Sequence, residues 1–177
     1  MSLLGQRGFM LVKIAVFRYV VNRMILIAHN IRSLHNVGSI FRNAAAFGVE
    51  KVYLTGVTAV PPRKEIAKVA LGAEDLVEWE YRTDGAEVIQ ELKKTGYRVY
   101  GLDNAPGAVD IATIGNGVGG GLKKIALVLG NEVDGIDEAT KQFLDGLVEI
   151  PMEKKKSLNV SVASGVALYV LMSGSRL

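Results

Sequence analysis

Short runs of apolar residues alternate along the chain with longer stretches in which apolar residues recur at helical spacing. A continuous apolar run predicts a buried strand, whereas apolar positions three and four residues apart predict a helix packed on one face. The alternation begins at Met24 and continues to the C-terminal region. It predicts an α/β domain with a mainly parallel sheet and helices on both faces.

Six strands and five helices follow from this pattern. The strands are predicted at residues 25–28, 51–55, 76–81, 98–102, 125–129 and 148–150. The helices are predicted at about 36–47, closed by Gly48, and at 63–73, 85–94, 137–144 and 158–172. Ligands of such sheets bind beyond the carboxyl ends of the strands, so the loops after Ala28, Leu129 and Ile150 are where a site is expected.

The first residues of the chain do not share the alternating pattern. We interpret residues 1–23 as an N-terminal extension, either non-native or poorly ordered, and residues 24–177 as one domain. The apolar stretch 8–28 contains Lys13, Arg18 and Arg23, which a membrane-spanning helix would have to bury. No secretory signal is recognisable. We therefore predict a cytoplasmic protein.

The amino-acid composition excludes several kinds of functional site. The 177 residues carry a net charge of +3 and the pI is about 9.1, which favours an anionic partner only weakly. The absence of cysteine excludes disulfides, thiolate zinc sites and cysteine nucleophiles. The two histidines, His29 and His35, have no suitably spaced third ligand, so no metal site is predicted.

A glycine-rich segment at residues 115–121 matches the G-x-G-x-x-G pattern of dinucleotide-binding loops. That loop requires a preceding strand and a following helix, whose N-terminus meets the pyrophosphate. Here Lys123, Lys124 and a predicted strand follow instead. We therefore predict a surface loop.

Residues 29–42, which follow the first predicted strand, are the first segment that contains candidate functional residues. Asn36 lies at the predicted helix start, and Arg42 interrupts the apolar, alanine-rich run 40–47. An arginine buried in such a run costs desolvation energy unless it meets an anion. Each residue also has an ordinary structural explanation, which taken alone is the better one: a salt bridge for Arg42 and an N-cap for Asn36.

A second segment follows the predicted strand 125–129. It contains Gly130, Asn131 and Glu132, and then Gly135. Glycine here would let a ligand lie directly on the backbone. A tight turn explains Gly135 equally well, but it does not explain a glutamate at the mouth of the sheet.

The third segment follows the predicted strand 148–150. Ser157 is predicted to be the N-cap of the last helix, with Asn159 in the first turn, where its amide can face a ligand. The three lysines at 154–156 place positive charge beside that turn, although a lysine run alone is usually a solvated loop.

Together the three segments resemble the motifs of the SpoU/TrmH family of RNA ribose 2′-O-methyltransferases, within the SPOUT class. The resemblance rests on Asn36 with Arg42, on Gly130, Asn131 and Glu132, and on Ile150, Pro151 and Met152 with Ser157, Leu158 and Asn159. It covers about residues 25–169. It implies a SPOUT fold with a C-terminal trefoil knot, a homodimer with a composite site near the interface, and S-adenosylmethionine as methyl donor without a metal.

The resemblance also implies roles for single residues. Arg42 would be the principal catalytic residue, binding a phosphate and the developing alkoxide, because a guanidinium loses its proton only above about pH 12. Asn36, Ser157 and Asn159 would orient Arg42 and the ribose. Glu132 would hold Arg42 or Asn36, or accept the proton. The cofactor would contact Leu129, Gly130, Asn131, Ile150, Met152, Leu158 and Asn159.

RNA binding is expected to be chiefly electrostatic. The expected contacts are Arg32, Arg42, Arg63, Lys64, Lys154, Lys155 and Lys156. A tRNA substrate is slightly favoured over rRNA, because compact relatives commonly act on tRNA. Two other functions are considered. A non-catalytic RNA-binding protein of the same fold would lack the equivalents of Arg42, Glu132 or Asn159. A nucleotide-binding oxidoreductase would bind NAD and not S-adenosylmethionine.

Overall fold

One seven-stranded sheet runs through the part of the chain that this computed structural model describes, residues 23–115, 124–155 and 157–173. Its strands are β1 (Arg23–His29), β2 (Lys51–Thr55), β3 (Glu78–Arg82), β4 (Arg98–Leu102), β5 (Val109–Asp110), β6 (Lys124–Leu129) and β7 (Gly146–Glu149). Their order is β3-β2-β1-β6-β4-β7-β5, and every pair is parallel. The predicted parallel α/β architecture is therefore confirmed.

Helices cover both faces of this sheet. They are α1 (Leu34–Phe47), α2 (Lys64–Ala70), a 3₁₀ turn (Ala73–Asp75), α3 (Gly85–Lys94), α4 (Ile111–Gly115), α5 (Glu138–Lys141) and α6 (Val160–Ser173). Alternate side chains of β1 enter opposite layers, because successive strand residues point to opposite faces. Leu26 packs with α1, α2, α4 and α6, and Ile27 packs with α3 and the residues around α5.

Helix α1 places the first motif at the carboxyl edge of β1. Ser33 is its N-cap and accepts the backbone N–H of Asn36 at 3.4 Å. Gly48 ends it in the left-handed conformation, with a φ of 73°, as the sequence predicts. Gly38 lets α2 approach closely, since a Cβ atom there would lie 2.6 Å from the carbonyl oxygen of Ile66.

Several observed boundaries depart from prediction: the helix predicted at 137–144 covers only Glu138–Lys141, and the strands predicted at 76–81 and 148–150 are Glu78–Arg82 and Gly146–Glu149. The helix predicted at 63–73 stops at Ala70, because Leu71 and Gly72 both take left-handed conformations. The last helix begins at Val160, two residues later than predicted. The short elements β5 and α4 were not predicted at all.

Some predictions fall on parts of the chain outside the described residues. These are nearly all of the N-terminal extension, residues 1–22, and the glycine-rich loop beyond Gly115, where α4 ends. The C-terminal knot implied by the family resemblance stays a prediction. No helix in the described segments is long and apolar enough to cross a bilayer.

Candidate active site

A cleft of about 440 Å³ opens where β4, β6 and β7 end. The structure brings all seven residues implied in cofactor binding to its wall: Leu129, Gly130, Asn131, Ile150, Met152, Leu158 and Asn159. Glu132 and Ser157 line the same cleft. The second and third motifs, separated in sequence, therefore form one concave site at the carboxyl edge of the sheet.

A tight turn after β6 forms one wall of this cleft. Asn131 and Gly135 exchange two backbone hydrogen bonds, of 2.9 and 3.1 Å, and close the turn. Gly130 lies directly against it, because a Cβ atom there would lie 2.6 Å from the carbonyl oxygen of Gly135 and from the nitrogen of Ile136. The immediate reason for a glycine at 130 is thus the approach of the chain's own backbone, not only that of a ligand.

Glu132 projects from this turn to the start of α1. Its carboxylate accepts the side-chain amide of Asn36 at 2.9 Å and the backbone N–H groups of Arg32 and Ser33 at 3.2 and 3.1 Å. Partial burial raises the pKa of Glu132, but these hydrogen bonds outweigh it and hold the pKa below its ordinary value. Because α1 has no acidic residue in its own first turn, Glu132 supplies the negative charge that a helix N-terminus favours.

Arg42 occupies a different side of α1 from Asn36. Six residues along a helix correspond to about 120° around its axis, and Arg42 is exposed whereas Asn36 is buried. Arg42 makes no hydrogen bond or ion pair with any described residue. The salt bridge considered for Arg42 is therefore absent among the described residues, and its side chain is not desolvated. Of the two partners considered for Glu132, the structure shows Asn36.

The third motif begins the last helix. Asn159, rather than Ser157, caps α6: its side-chain oxygen accepts the backbone N–H of Ser161 at 2.9 Å. The predicted cap at Ser157 is wrong because α6 starts at Val160, which leaves Ser157 exposed on the cleft wall. Lys154 and Lys155 are exposed just before it, and Lys156 lies outside the described residues.

Hydrogen bonds from Asn43, the residue after Arg42, link helix α1 to helix α6. The side-chain amide of Asn43 donates to the backbone oxygen of Ser161 at 2.7 Å and to the hydroxyl of Ser164 at 2.9 Å. Gly165 completes the contact, since a Cβ atom there would lie 3.3 Å from the Asn43 amide. Sequence reasoning missed Asn43, although a polar residue within the apolar run after Arg42 was a usable signal.

Comparison with known proteins identifies the family. The model of the SpoU rRNA Methylase family matches residues 23–169. The chain belongs to this family. The SpoU chain is 36% identical over 151 residues to 23S rRNA (guanosine-2'-O-)-methyltransferase RlmB of Xanthomonas axonopodis pv. citri, a match that covers 82% of the chain and 57% of that protein. It thus spans little more than half the length of the curated relatives it matches.

Solved structures show the same SpoU fold. The TrmH/SpoU tRNA modifying enzyme of A. aeolicus superposes with a TM-score of 0.76 and 25% identity, over 89% of this chain and 79% of that one. The AdoMet bound rRNA methyltransferase from Sinorhizobium meliloti gives a TM-score of 0.75 with 24% identity, over 84% and 55% of the two chains.

The charged residues that line the SpoU cleft are all acidic. They are Asp103, Glu132 and Glu149, and the described lining residues include no lysine, arginine or histidine. Asp103 is paired with the ammonium of Lys141 and Glu132 bonds the start of α1, so Glu149 is the carboxylate that favours a cationic ligand. Asp103, with its neighbours Leu102 and Asn104, was missed from sequence, although its position directly after a predicted strand was a signal.

Three of the basic residues predicted to bind RNA lie in segments that follow β1 and β2 of the SpoU domain. Arg32 follows β1, while Arg63 and Lys64 stand at the start of α2, and all three are exposed. Arg32 lies 3.9 Å from the carboxylate of Asp134, but both side chains are largely in solvent, where such a pair is weak. These charges remain accessible to a polyanion.

Proposed function

We propose that this chain is an S-adenosylmethionine-dependent RNA methyltransferase that methylates a ribose 2′-hydroxyl of tRNA or rRNA. The observation that carries the proposal is the gathering of the seven implied cofactor residues, with Glu132 and Ser157, in one cleft. Its volume lies in the usual range for small-molecule sites, roughly 300–1,000 Å³. The family match and the activity printed for the relative from Xanthomonas support the same reaction.

The cleft suits this methyl donor chemically. Leu129, Ile150 and Leu158 offer apolar surface for the adenosine, and the carboxylate of Glu149 favours a ligand that carries sulfonium and ammonium charges. Similarity in fold to a methyltransferase with AdoMet bound is consistent with this. Bound there, S-adenosylmethionine supplies the electrophilic methyl group. We expect no metal in the reaction.

Arg42 is the group we assign to the RNA. Its guanidinium is exposed and has no partner among the described residues, so it is available to bind a phosphate beside the ribose and to stabilise charge on the 2′-oxygen. Asn36, Ser157 and Asn159 orient the ribose by hydrogen bonds. Glu132 positions Asn36, since its carboxylate already accepts three donors at the start of α1.

A homodimer would complete this site. Val162, Val166 and Tyr169 are exposed and recur at spacings of four and three residues, so they form an apolar stripe along α6. We propose that a second copy covers this stripe, because soluble monomers rarely expose a contiguous apolar surface of this kind. The contact of Asn43 with α6 supports a composite site, because it joins the helix that carries Arg42 to the helix that carries the stripe.

We expect RNA to contact Arg32, Arg63, Lys64 and the lysines at 154–156. Curated relatives carry rRNA in their names and one similar structure is a tRNA modifying enzyme, so both RNA classes belong in the test. The slight preference for tRNA stays a prediction. An RNA substrate would also place the protein in the cytoplasm.

The test is a calorimetric titration with S-adenosylmethionine, followed by tritiated methyl transfer to purified rRNA and to tRNA. We expect saturable cofactor binding, and alkali-stable label in one RNA class, because a 2′-O-methyl group blocks alkaline cleavage at that nucleotide. RNA binding without cofactor binding would favour the non-catalytic alternative. Binding of NAD without S-adenosylmethionine would overturn the proposal.

A further inference from the structure

Asp103 is a largely buried carboxylate on the wall of the cleft, with a side chain 17% exposed. It follows β4, and its backbone N–H donates to the carbonyl oxygen of Val148 at the end of β7. Its carboxylate accepts the backbone N–H of Ile136 at 3.3 Å and lies 3.2 Å from the ammonium of Lys141. Asp103 therefore joins the ends of β4 and β7 to the segment that follows β6.

The turn at 131–135 rests on this carboxylate. Gly135 has a φ of 69°, and a Cβ atom on it would lie 2.9 Å from the Asp103 carboxylate oxygen. A side chain at 135 would collide with Asp103, so the turn and the carboxylate are packed in direct contact. Lys141 stays protonated beside Asp103, because hydrogen bonds to Glu138 and Asp103 raise its pKa above the ordinary value.

We propose that Asp103 is a positioning residue that holds the 131–135 turn in the conformation the cleft needs to bind the methyl donor. This inference rests on the proposed function. One wall of the cleft is formed by Gly130, Asn131 and Gly135. Asp103, which follows β4, contacts this wall from the end of the neighbouring strand. Glu132 keeps its own three hydrogen bonds to α1, so loss of Asp103 acts on cofactor affinity more than on the catalytic step.

The chain contains a matched control in Asp145. Its side chain is 19% exposed, it accepts the backbone N–H of Val99 at 2.7 Å, and it lies 3.1 Å from the ammonium of Lys93. Asp145 thus makes the same two kinds of contact at similar burial, but it bonds the second residue of β4, at the opposite end of that strand from the cleft. Removing it tests the general cost of losing a buried carboxylate.

The experiment compares Asp103→Ala, Asp103→Asn, Lys141→Met and Asp145→Ala in the full chain. Affinity for S-adenosylmethionine is measured by calorimetry well below each melting temperature, together with kcat and KM for methyl transfer. Hydrogen exchange is followed at the amides of Gly135 and Ile136, which reports the turn without any cofactor.

We expect Asp103→Ala to weaken cofactor affinity about tenfold or more, since a hydrogen bond to a charged group is lost, with kcat within about threefold. Asp103→Asn keeps an oxygen acceptor for Ile136 and should recover most of the affinity, whereas Lys141→Met should leave it within about twofold. Exchange at Gly135 and Ile136 should accelerate in Asp103→Ala and not in Asp145→Ala.

Three results would overturn the inference. They are unchanged exchange at both amides in Asp103→Ala, an equal loss of affinity in Asp145→Ala, and a loss confined to kcat. Failure of the wild-type chain to bind S-adenosylmethionine would count against the proposed function instead, and the exchange measurement would still decide whether Asp103 holds the turn.

Discussion

The carboxylate of Glu132 accepts the side-chain amide of Asn36 at 2.9 Å, across 96 residues of sequence. This bond connects the second motif of the site to the first. The same carboxylate also accepts two backbone N–H groups, and these hydrogen bonds favour its ionised form in the folded protein.

Stability should therefore depend on the ionisation of Glu132. Since the folded protein lowers its pKa below the ordinary 4.5, the carboxylate contributes stability above that value, and the contribution is lost as the pH falls through the lowered pKa. Glu132→Gln should be less stable than wild type near neutral pH, and the difference should shrink on acidification. Urea unfolding at several pH values measures this, with the exposed Glu65→Gln as control. A difference independent of pH would contradict the assignment.

Replacing Arg42 separates catalysis from cofactor binding. Because Arg42 is exposed on α1 and does not line the cleft, Arg42→Ala should abolish detectable methyl transfer while cofactor affinity stays within a few-fold. Calorimetry and tritium transfer on the same preparation give both quantities. Arg98→Ala, an exposed arginine at the opposite edge of the sheet, serves as control. Loss of cofactor binding in Arg42→Ala would make the residue structural.

The lysines before α6 should contribute to RNA binding through charge. Replacing Lys154, Lys155 and Lys156 with alanine should weaken RNA binding and flatten the dependence of its affinity on salt, because each phosphate contact releases counterions. Filter binding over a range of salt concentrations measures the slope. Alanines at Lys93 and Lys94, adjacent lysines at the end of α3, provide the comparison. An unchanged slope would make residues 154–156 an ordinary solvated loop.

A methyl group added at Gly130 should disturb the cleft. In Gly130→Ala the new carbon meets the backbone of Gly135 and Ile136, so we expect a loss of about 1–3 kcal/mol in unfolding free energy and a larger loss of cofactor affinity. Gly146→Ala is the matched control, because its Cβ would lie 3.7 Å from its nearest neighbour, the ring of Tyr100. Equal behaviour of the two variants in unfolding and calorimetry would contradict the role given to the 131–135 turn.

Charge on the α6 stripe should break the proposed dimer. Val162→Lys combined with Tyr169→Lys places two ammonium groups on a surface that would be buried against the second copy. We expect a dimer to monomer change by sedimentation velocity. Leu76→Lys changes an even more exposed apolar residue, away from α6, and should leave the mass unchanged. A wild-type monomer, or no change in the double variant, would refute the interface.

Local signals account for much of the fold. The bounds of β2, α3 and β4 agree with the predicted ones, since each combines an apolar pattern with clear flanking residues. β5 consists of two exposed residues, Val109 and Asp110, and such a short edge strand leaves no periodic pattern to detect. The start of α6 was misplaced because Ser157 and Asn159 are both good caps, and tertiary packing decides between them.

The site was predictable to the extent that its residues lie in long motifs. Motif positions sufficed to group the seven cleft residues from Leu129 to Asn159. Asp103 lies outside these motifs, and its contacts with Ile136 and Lys141 are visible only in the folded structure. The exposure of Arg42 was also beyond the sequence. An alanine-rich run around it is compatible with either side of a helix facing solvent.

The position of β6 between β1 and β4 has a consequence for the order in which the protein can be built on the ribosome. β2 and β3 can pair as soon as they emerge, because β2 lies beside β1 and β3 lies beside β2. β4 has only β6 and β7 as neighbours, and both are synthesised later. The half of the sheet that carries the cleft therefore completes last, and a nascent chain that stops before β7 lacks one wall of the proposed methyl-donor site.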